Sequence, residues 1–117
     1  MLVVEDEGAV ARLVERVLAG AGYRVLIAAD GASALAISAE NPKIALVLSD
    51  VIMPGMNGPE LLERLQASGR TPRALLMSGY TGDAVVSGRA LALGAQLLEK
   101  PFSPTVLLRR VREVLDA

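Results

Sequence analysis

Short apolar runs alternate with longer amphipathic ones along the whole chain. Leu2-Val3-Val4 is a brief run of β-type residues that ends in acid. Residues 8–19 then place Val10, Leu13, Val14, Val17 and Leu18 at helical spacing, and Gly20 and Gly22 stop the helix. Residues 24–29 (RVLIAA) read as a second strand. Asp30 suits the N-cap of a helix carrying Leu35, Ala36 and Ala39, which Asn41-Pro42 breaks. Residues 44–49 (IALVLS) form the clearest buried strand, nearly all apolar and without alternation. Pro54, Gly55 and Gly58 mark a loop, and Leu61, Leu62 and Leu65 a third helix ending near Gly69. A fourth strand covers residues 73–77 (RALLM), followed by a Gly-rich loop. A weak helix spans roughly residues 83–93, with Gly88, Val85 and Val86 lowering its propensity. Residues 96–99 give the fifth strand. Ser103-Pro104 then opens a last helix whose apolar face is Val106, Leu107, Val111, Val114 and Leu115.

The sum is five βα units in series, which predicts an α/β fold with a parallel sheet covered on both faces. Right-handed crossovers leave few topologies. Doubly wound, flavodoxin-like chains commonly adopt strand order 2-1-3-4-5 in three layers. No linker, repeat or low-complexity segment interrupts the pattern, so residues 1–117 are expected to form one domain. Starting inside its first strand and stopping with its last helix, it reads as a domain cut from something larger or one with trimmed ends.

Composition narrows the chemistry. Hydrophobic residues make up 52% of the chain and aromatics only 3%, which suits helices on a buried sheet and not a base-stacking surface. The net charge of −1 lowers the expectation of nucleic-acid or anionic-membrane binding. There is no Cys and no His, so thiolate metal sites, Cys nucleophiles and a His-based triad are out. No signal-peptide layout and no span-length apolar run is present, so the expected setting is soluble and cytoplasmic.

In doubly wound sheets the chemistry sits outside the carboxyl ends of the strands. Strand one ends in Glu5-Asp6, strand three in Asp50, strand four in Ser78 and strand five in Lys100. In the 2-1-3-4-5 order, Asp6 and Asp50 face each other across the crevice at the switch point. Clustered carboxylates without His or Cys make a hard-oxygen site suited to Mg²⁺. A lone ammonium opposite them suits a transferring phosphoryl group, and a hydroxyl can donate to another of its oxygens. Aspartate is itself a competent covalent phosphoryl acceptor. Singly, each residue has a plainer reading: Asp50 as a loop residue, Glu7 as an acid in a helix's first turn, Ser78 as a turn residue, Lys100 as a surface lysine. Those plain readings must all hold together to displace the functional one.

VVEDE at 3–7, LSDVIMPGMNG at 48–58, MSGY at 77–80 and EKPF at 99–102 together resemble the response-regulator receiver family over essentially the whole chain. The resemblance implies that Asp50 is the phosphoacceptor, and that Asp6 binds Mg²⁺ directly and Glu5 mainly through water. It also implies that the Ile52 backbone carbonyl completes the metal's protein ligands. Ser78 would hold a phosphoryl oxygen, and Lys100 would pair with the phosphoryl group, its bond to Pro101 cis. A histidine kinase or histidine phosphotransfer protein would be the donor, and the chain is similar to receivers fused to hybrid sensor kinases. The domain would perform only self-catalysed transfer and hydrolysis. Its readout surface would be the fourth helix, fifth strand and fifth helix, with Arg89, Arg109 and Arg110.

Leu97 stands where many receivers carry an aromatic switch, and Glu5 and Ser78 stand for the family's commoner Asp and Thr. Ile52 and Tyr80 flank the path of hydrolytic water, and Ile52 cannot orient one, so slow self-dephosphorylation is expected. Three rivals are weaker. An aspartyl-phosphate phosphohydrolase wants a second acid two residues after the first, where Ile52 stands. A flavodoxin-like FMN binder wants a hydroxyl- and glycine-rich loop where Glu5-Asp6-Glu7 stand. A degenerate receiver serving only in protein interaction would not need Asp50, Asp6, Ser78 and Lys100 together.

Overall fold

The computed structural model describes residues 1–69, 72–79 and 84–117, residues 84–87 by backbone alone. Strands and helices alternate along it: β1 (Leu2–Val4), α1 (Gly8–Gly20), β2 (Leu26–Ala28), α2 (Gly31–Glu40), β3 (Leu46–Asp50), α3 (Gly58–Ala67), β4 (Arg73–Ser78), α4 (Ala84–Ala92), β5 (Gln96–Glu99) and α5 (Pro104–Asp116). Every strand pair is parallel, and the order is β2-β1-β3-β4-β5, as the sequence predicts.

Both sheet faces are buried, which is why the strand sequences do not alternate. On one face Val3, Leu46, Leu48, Leu75, Met77 and Leu98 pack against Val14 and Leu18 of α1 and Leu107, Val111 and Val114 of α5. On the other, Leu2, Val4, Val47, Ala74 and Leu76 pack against Ala34 of α2, Leu61, Leu62 and Leu65 of α3, and Ala90 of α4. Two predicted strands are trimmed by their partners. β1 offers three residues, so only Leu26 to Ala28 can pair with it. β3 starts at Leu46, opposite Arg73, and runs on to Asp50, opposite Met77.

The helix starts follow from their caps. Asp30 Oδ1 accepts from the Ser33 N–H at 2.7 Å, and Asn57 Oδ1 from the Glu60 N–H at 2.9 Å. Ser103 Oγ accepts from the Val106 N–H at 3.1 Å. Glu7 is exposed at the N-cap of α1 and its side chain makes no capping bond, so it precedes the first turn rather than lying in it. Two predicted apolar faces are corrected. In α2 the buried stripe is Gly31, Ala34 and Ser38, while Ala36 and Ala39 are exposed. Small and apolar residues surround that helix, so its pattern cannot fix its rotation. In α1, Leu13 is 52% exposed and Ala11 takes the inner position. Among the described residues no helix is long and apolar enough to cross a membrane.

Leu48 lies fully buried at the middle of the central strand, and Leu91 is 57% exposed. Leu48→Ala is expected to cost about 2–5 kcal/mol in urea unfolding and Leu91→Ala at most about 0.5 kcal/mol. Comparable losses at the two positions would contradict this account of the core.

Candidate functional site

The parallel ladder brings the carboxyl ends of β1, β3, β4 and β5 to one edge. There a cleft of about 350 Å³ is lined by Glu5, Asp6, Asp50, Ile52, Ser78 and Lys100. All six predicted site residues therefore meet in one place. Glu5, Asp6 and Asp50 each offer a carboxylate oxygen within 4.8 Å of the other two. Lys100 Nζ lies 2.6 Å from Asp50 Oδ1 and 3.3 Å from Glu5 Oε2. Ser78, half-buried, ends β4, and its carbonyl accepts from the Lys100 N–H at 2.8 Å, tying the hydroxyl-bearing and ammonium-bearing strand ends together. Ile52 sits at the rim, 66% exposed. Tyr80 lies outside the described residues.

Burial distinguishes the two acids of β1 in a way the sequence does not. Glu5 is 2% exposed, while Asp6 is open to the cleft. Glu5 turns inward, accepting from Lys100 and, through Oε1, from the Glu7 N–H at 3.2 Å. Asp50 is 5% exposed. Burial lifts its carboxyl to about 7; the adjacent Glu5 carboxyl adds to the rise and the Lys100 ammonium opposes it. Burial alone would lower Lys100, but the Asp50 and Glu5 carboxylates outweigh it and hold the ammonium above its ordinary value. Three hard oxygen donors, one of them exposed, fit a divalent cation that prefers oxygen and keeps part of its water.

The loops that frame the cleft have specific constraints. A Cβ on Gly58 would stand 2.6 Å from the Asp50 carbonyl oxygen and 3.2 Å from Val51 Cα, so only glycine lets α3 start so close to β3. The expectation of a loop glycine missed this contact, although its fixed distance from Asp50 in LSDVIMPGMNG carried the signal. Gly55 adopts φ +80°, a left-handed conformation that turns the chain toward α3. The Lys100–Pro101 bond is cis, as expected. Ser49, read only as part of an apolar run, is fully buried beside Asp50.

The response regulator receiver domain profile matches residues 1–112. The sensor kinase CckA of Brucella abortus (strain 2308) is 38% identical over 117 residues, covering 99% of this chain and 12% of that protein. The solved receiver domain of hybrid histidine kinase CckA is 41% identical with a TM-score of 0.82, covering 97% of this chain and 96% of that one. A CheY-like response regulator receiver domain protein from Methanospirillum hungatei JF-1 is 34% identical with a TM-score of 0.89, covering 98% and 91%. The chain belongs to the response regulator receiver domain family, the phosphorylation-responsive domains of two-component signalling. It spans 12% of the CckA sensor kinase and about half the length of the other curated relatives it matches.

In the folded, metal-free chain Asp50 takes up its proton near pH 7, and in the unfolded chain near 3.8. Between those values the folded state binds more protons, so this group's contribution makes stability fall as pH rises. Asp50→Asn removes the titration. Its effect on stability in chelator is expected to be more favourable at pH 8 than at pH 5, by on the order of 2 kcal/mol. Urea unfolding at both pH values checks this, and a pH-independent effect would count against it.

Proposed function

We propose that the chain accepts a phosphoryl group from a phosphohistidine onto Asp50, in a Mg²⁺-dependent reaction, and thereby switches a protein-interaction surface. The observation that carries the reading is the convergence of a buried Asp50 with Glu5, Asp6, Ser78 and Lys100 in one cleft. Asp6, Asp50 and the Ile52 carbonyl would hold the ion, with Glu5 acting mainly through water. Bound Mg²⁺ supplies neutralising charge to the carboxylates and to the phosphoryl oxygens.

The remaining work belongs to side chains. An Asp50 carboxylate oxygen forms the new bond to phosphorus as the phosphorus–nitrogen bond breaks, and the electron pair returns to the imidazole of the donor. Lys100, which already touches Asp50 Oδ1, is placed to follow the negative charge onto the phosphoryl group. Its second carboxylate partner, Glu5, keeps the ammonium at the cleft during that exchange. The Ser78 hydroxyl donates to a phosphoryl oxygen and draws the end of β4 inward. The domain is then its own substrate rather than a turning-over enzyme.

The donor would be a histidine kinase or histidine phosphotransfer protein, in a hybrid sensor kinase or separate from it, acting in the cytoplasm. The switched surface is α4, β5 and α5. There Leu97 is partly buried, its carbonyl accepts from Arg110 Nη2 at 3.0 Å, and Arg89 pairs with Glu63 of α3. Those contacts give the surface something to rearrange without a switch aromatic.

Intact mass after incubation with a small-molecule phosphodonor tests the reading. One phosphoryl adduct is expected, lost in chelator and lost in Asp50→Asn. Donor turnover with no adduct would favour a phosphohydrolase, and no reaction at all an interaction module. The exposed Ile52 side chain offers nothing to orient a hydrolytic water. Ile52→Asn is therefore expected to shorten the phosphoryl lifetime several-fold, and an unchanged or longer lifetime would contradict that role.

A further inference from the structure

The peptide unit that follows the acceptor aspartate is held from several directions. The β1–β3 ladder ends at the Val4–Ser49 pair, so the Asp50 carbonyl has run past its neighbouring strand inside a buried part of the molecule. The hydroxyl of Ser49, itself 0% exposed, donates to that carbonyl at 3.0 Å. The same hydroxyl also lies 3.7 Å from Met53 Sδ, a weak acceptor. Gly58 passes over the same carbonyl so closely that a Cβ would lie 2.6 Å from it. On the next residue, the Val51 N–H donates to the Met77 carbonyl at 2.9 Å and the Val51 carbonyl accepts from the Gly58 N–H at 2.8 Å. The chain from Asp50 to Val51 is thus clasped by one buried hydroxyl, one glycine and two backbone bonds, and Ile52 is the next residue out.

We infer that Ser49 is a positioning residue for the metal and phosphoacceptor site: its hydroxyl takes over the Asp50 carbonyl where the ladder ends, and so fixes the direction in which the main chain leaves toward the Ile52 carbonyl. The inference rests on the proposed reading of the cleft. A buried hydroxyl directly after Leu46, Val47 and Leu48 has no packing advantage over alanine or valine, since burying a hydroxyl costs free energy unless it is bonded. Its bond to Asp50 is the compensation, and that bond acts on the backbone of the acceptor itself.

The test compares Ser49→Ala, Ser49→Thr and Val47→Ala with the parent chain. Val47 lies two residues earlier on the same strand, in the same core, and away from the cleft. Three readouts are taken: Mg²⁺ affinity by calorimetry, the Val51 and Ile52 amide shifts of the metal-free protein by NMR, and the rate of adduct formation against Mg²⁺ concentration. Ser49→Ala is expected to weaken Mg²⁺ binding about three- to tenfold, to move both amide signals, and to recover its adduct rate at saturating Mg²⁺. Ser49→Thr keeps the hydroxyl and stays within about twofold of the parent. Val47→Ala lowers stability but leaves Mg²⁺ affinity alone. Should Ser49→Ala fail to fold, Ser49→Cys, with its weaker donor, is expected to fall between parent and loss. Parental Mg²⁺ affinity in the Ala or Cys variant, or an equal loss in Val47→Ala, overturns the role of Ser49 while leaving the cleft's reading intact. A parent chain that forms no adduct at any Mg²⁺ concentration overturns the cleft's reading itself.

Discussion

The clustered carboxylates of Glu5, Asp6 and Asp50 share one cleft with a single ammonium, and that imbalance of charge organises the functional end of the molecule. Asp50 and Glu5 are nearly excluded from water, so neither can rely on solvent to soften its repulsion of the other. Lys100 spans both and is the one cation lining the cleft among the described residues. It leaves negative charge over, and Asp6, which is exposed, presents part of it at the cleft. A site built this way favours further positive charge, and Asp50, raised toward neutral pH first by its burial and then by the adjacent Glu5 carboxyl, answers the same surroundings by holding a proton. On the proposed reading a divalent cation would relieve the excess negative charge, and a phosphoryl group would then rearrange it, because Lys100 would gain a new anionic partner where its old one became an acyl phosphate.

The scaffold makes such a cluster tolerable. A sheet buried on both faces holds β1, β3, β4 and β5 in fixed register, and their ends cannot retreat from one another without disturbing two cores at once. The bond from the Lys100 N–H to the Ser78 carbonyl locks β5 to β4 at the cleft, so the ammonium and the hydroxyl sit on a common edge. Glycine at position 58 lets α3 begin against the acceptor's own carbonyl. α4 is tied to α3 through Ala90 in the shared core and through the surface pair Arg89–Glu63, and the turn after α4 is tied to α3 by the Gln66 bond to the Leu93 carbonyl.

How much of this was legible in the sequence depended on the kind of interaction. The strand ends were legible because two buried faces force unbroken apolar runs, and a charged or hydroxylic residue closing such a run is conspicuous. Asp50 after IALVLS and Lys100 after QLLE are of this kind. Cap residues such as Asp30 and Ser103 were equally plain. The rotation of α2 was not, since alanines and serines lie all round a helix that also carries Leu35 and Ile37, and packing buried Ala34 and Ser38 while leaving those two half-buried. Leu13 was assigned inward because spacing cannot tell a core leucine from one beside an open groove. Ser49 and the inward turn of Glu5 were hidden for a different reason: each depends on where a neighbouring strand stops, which is a property of pairing and not of local pattern.

The central claim is that the phosphoryl group resides on the Asp50 carboxylate, and chemical trapping addresses it directly. Borohydride reduces an acyl phosphate to an alcohol, so an aspartyl phosphate is converted to homoserine at the modified position. Phosphorylation in Mg²⁺, reduction and peptide mapping are expected to show homoserine at position 50 and nowhere else. Reduction at Glu5 or Asp6, or a phosphoryl group that survives borohydride on Ser78, would contradict the account.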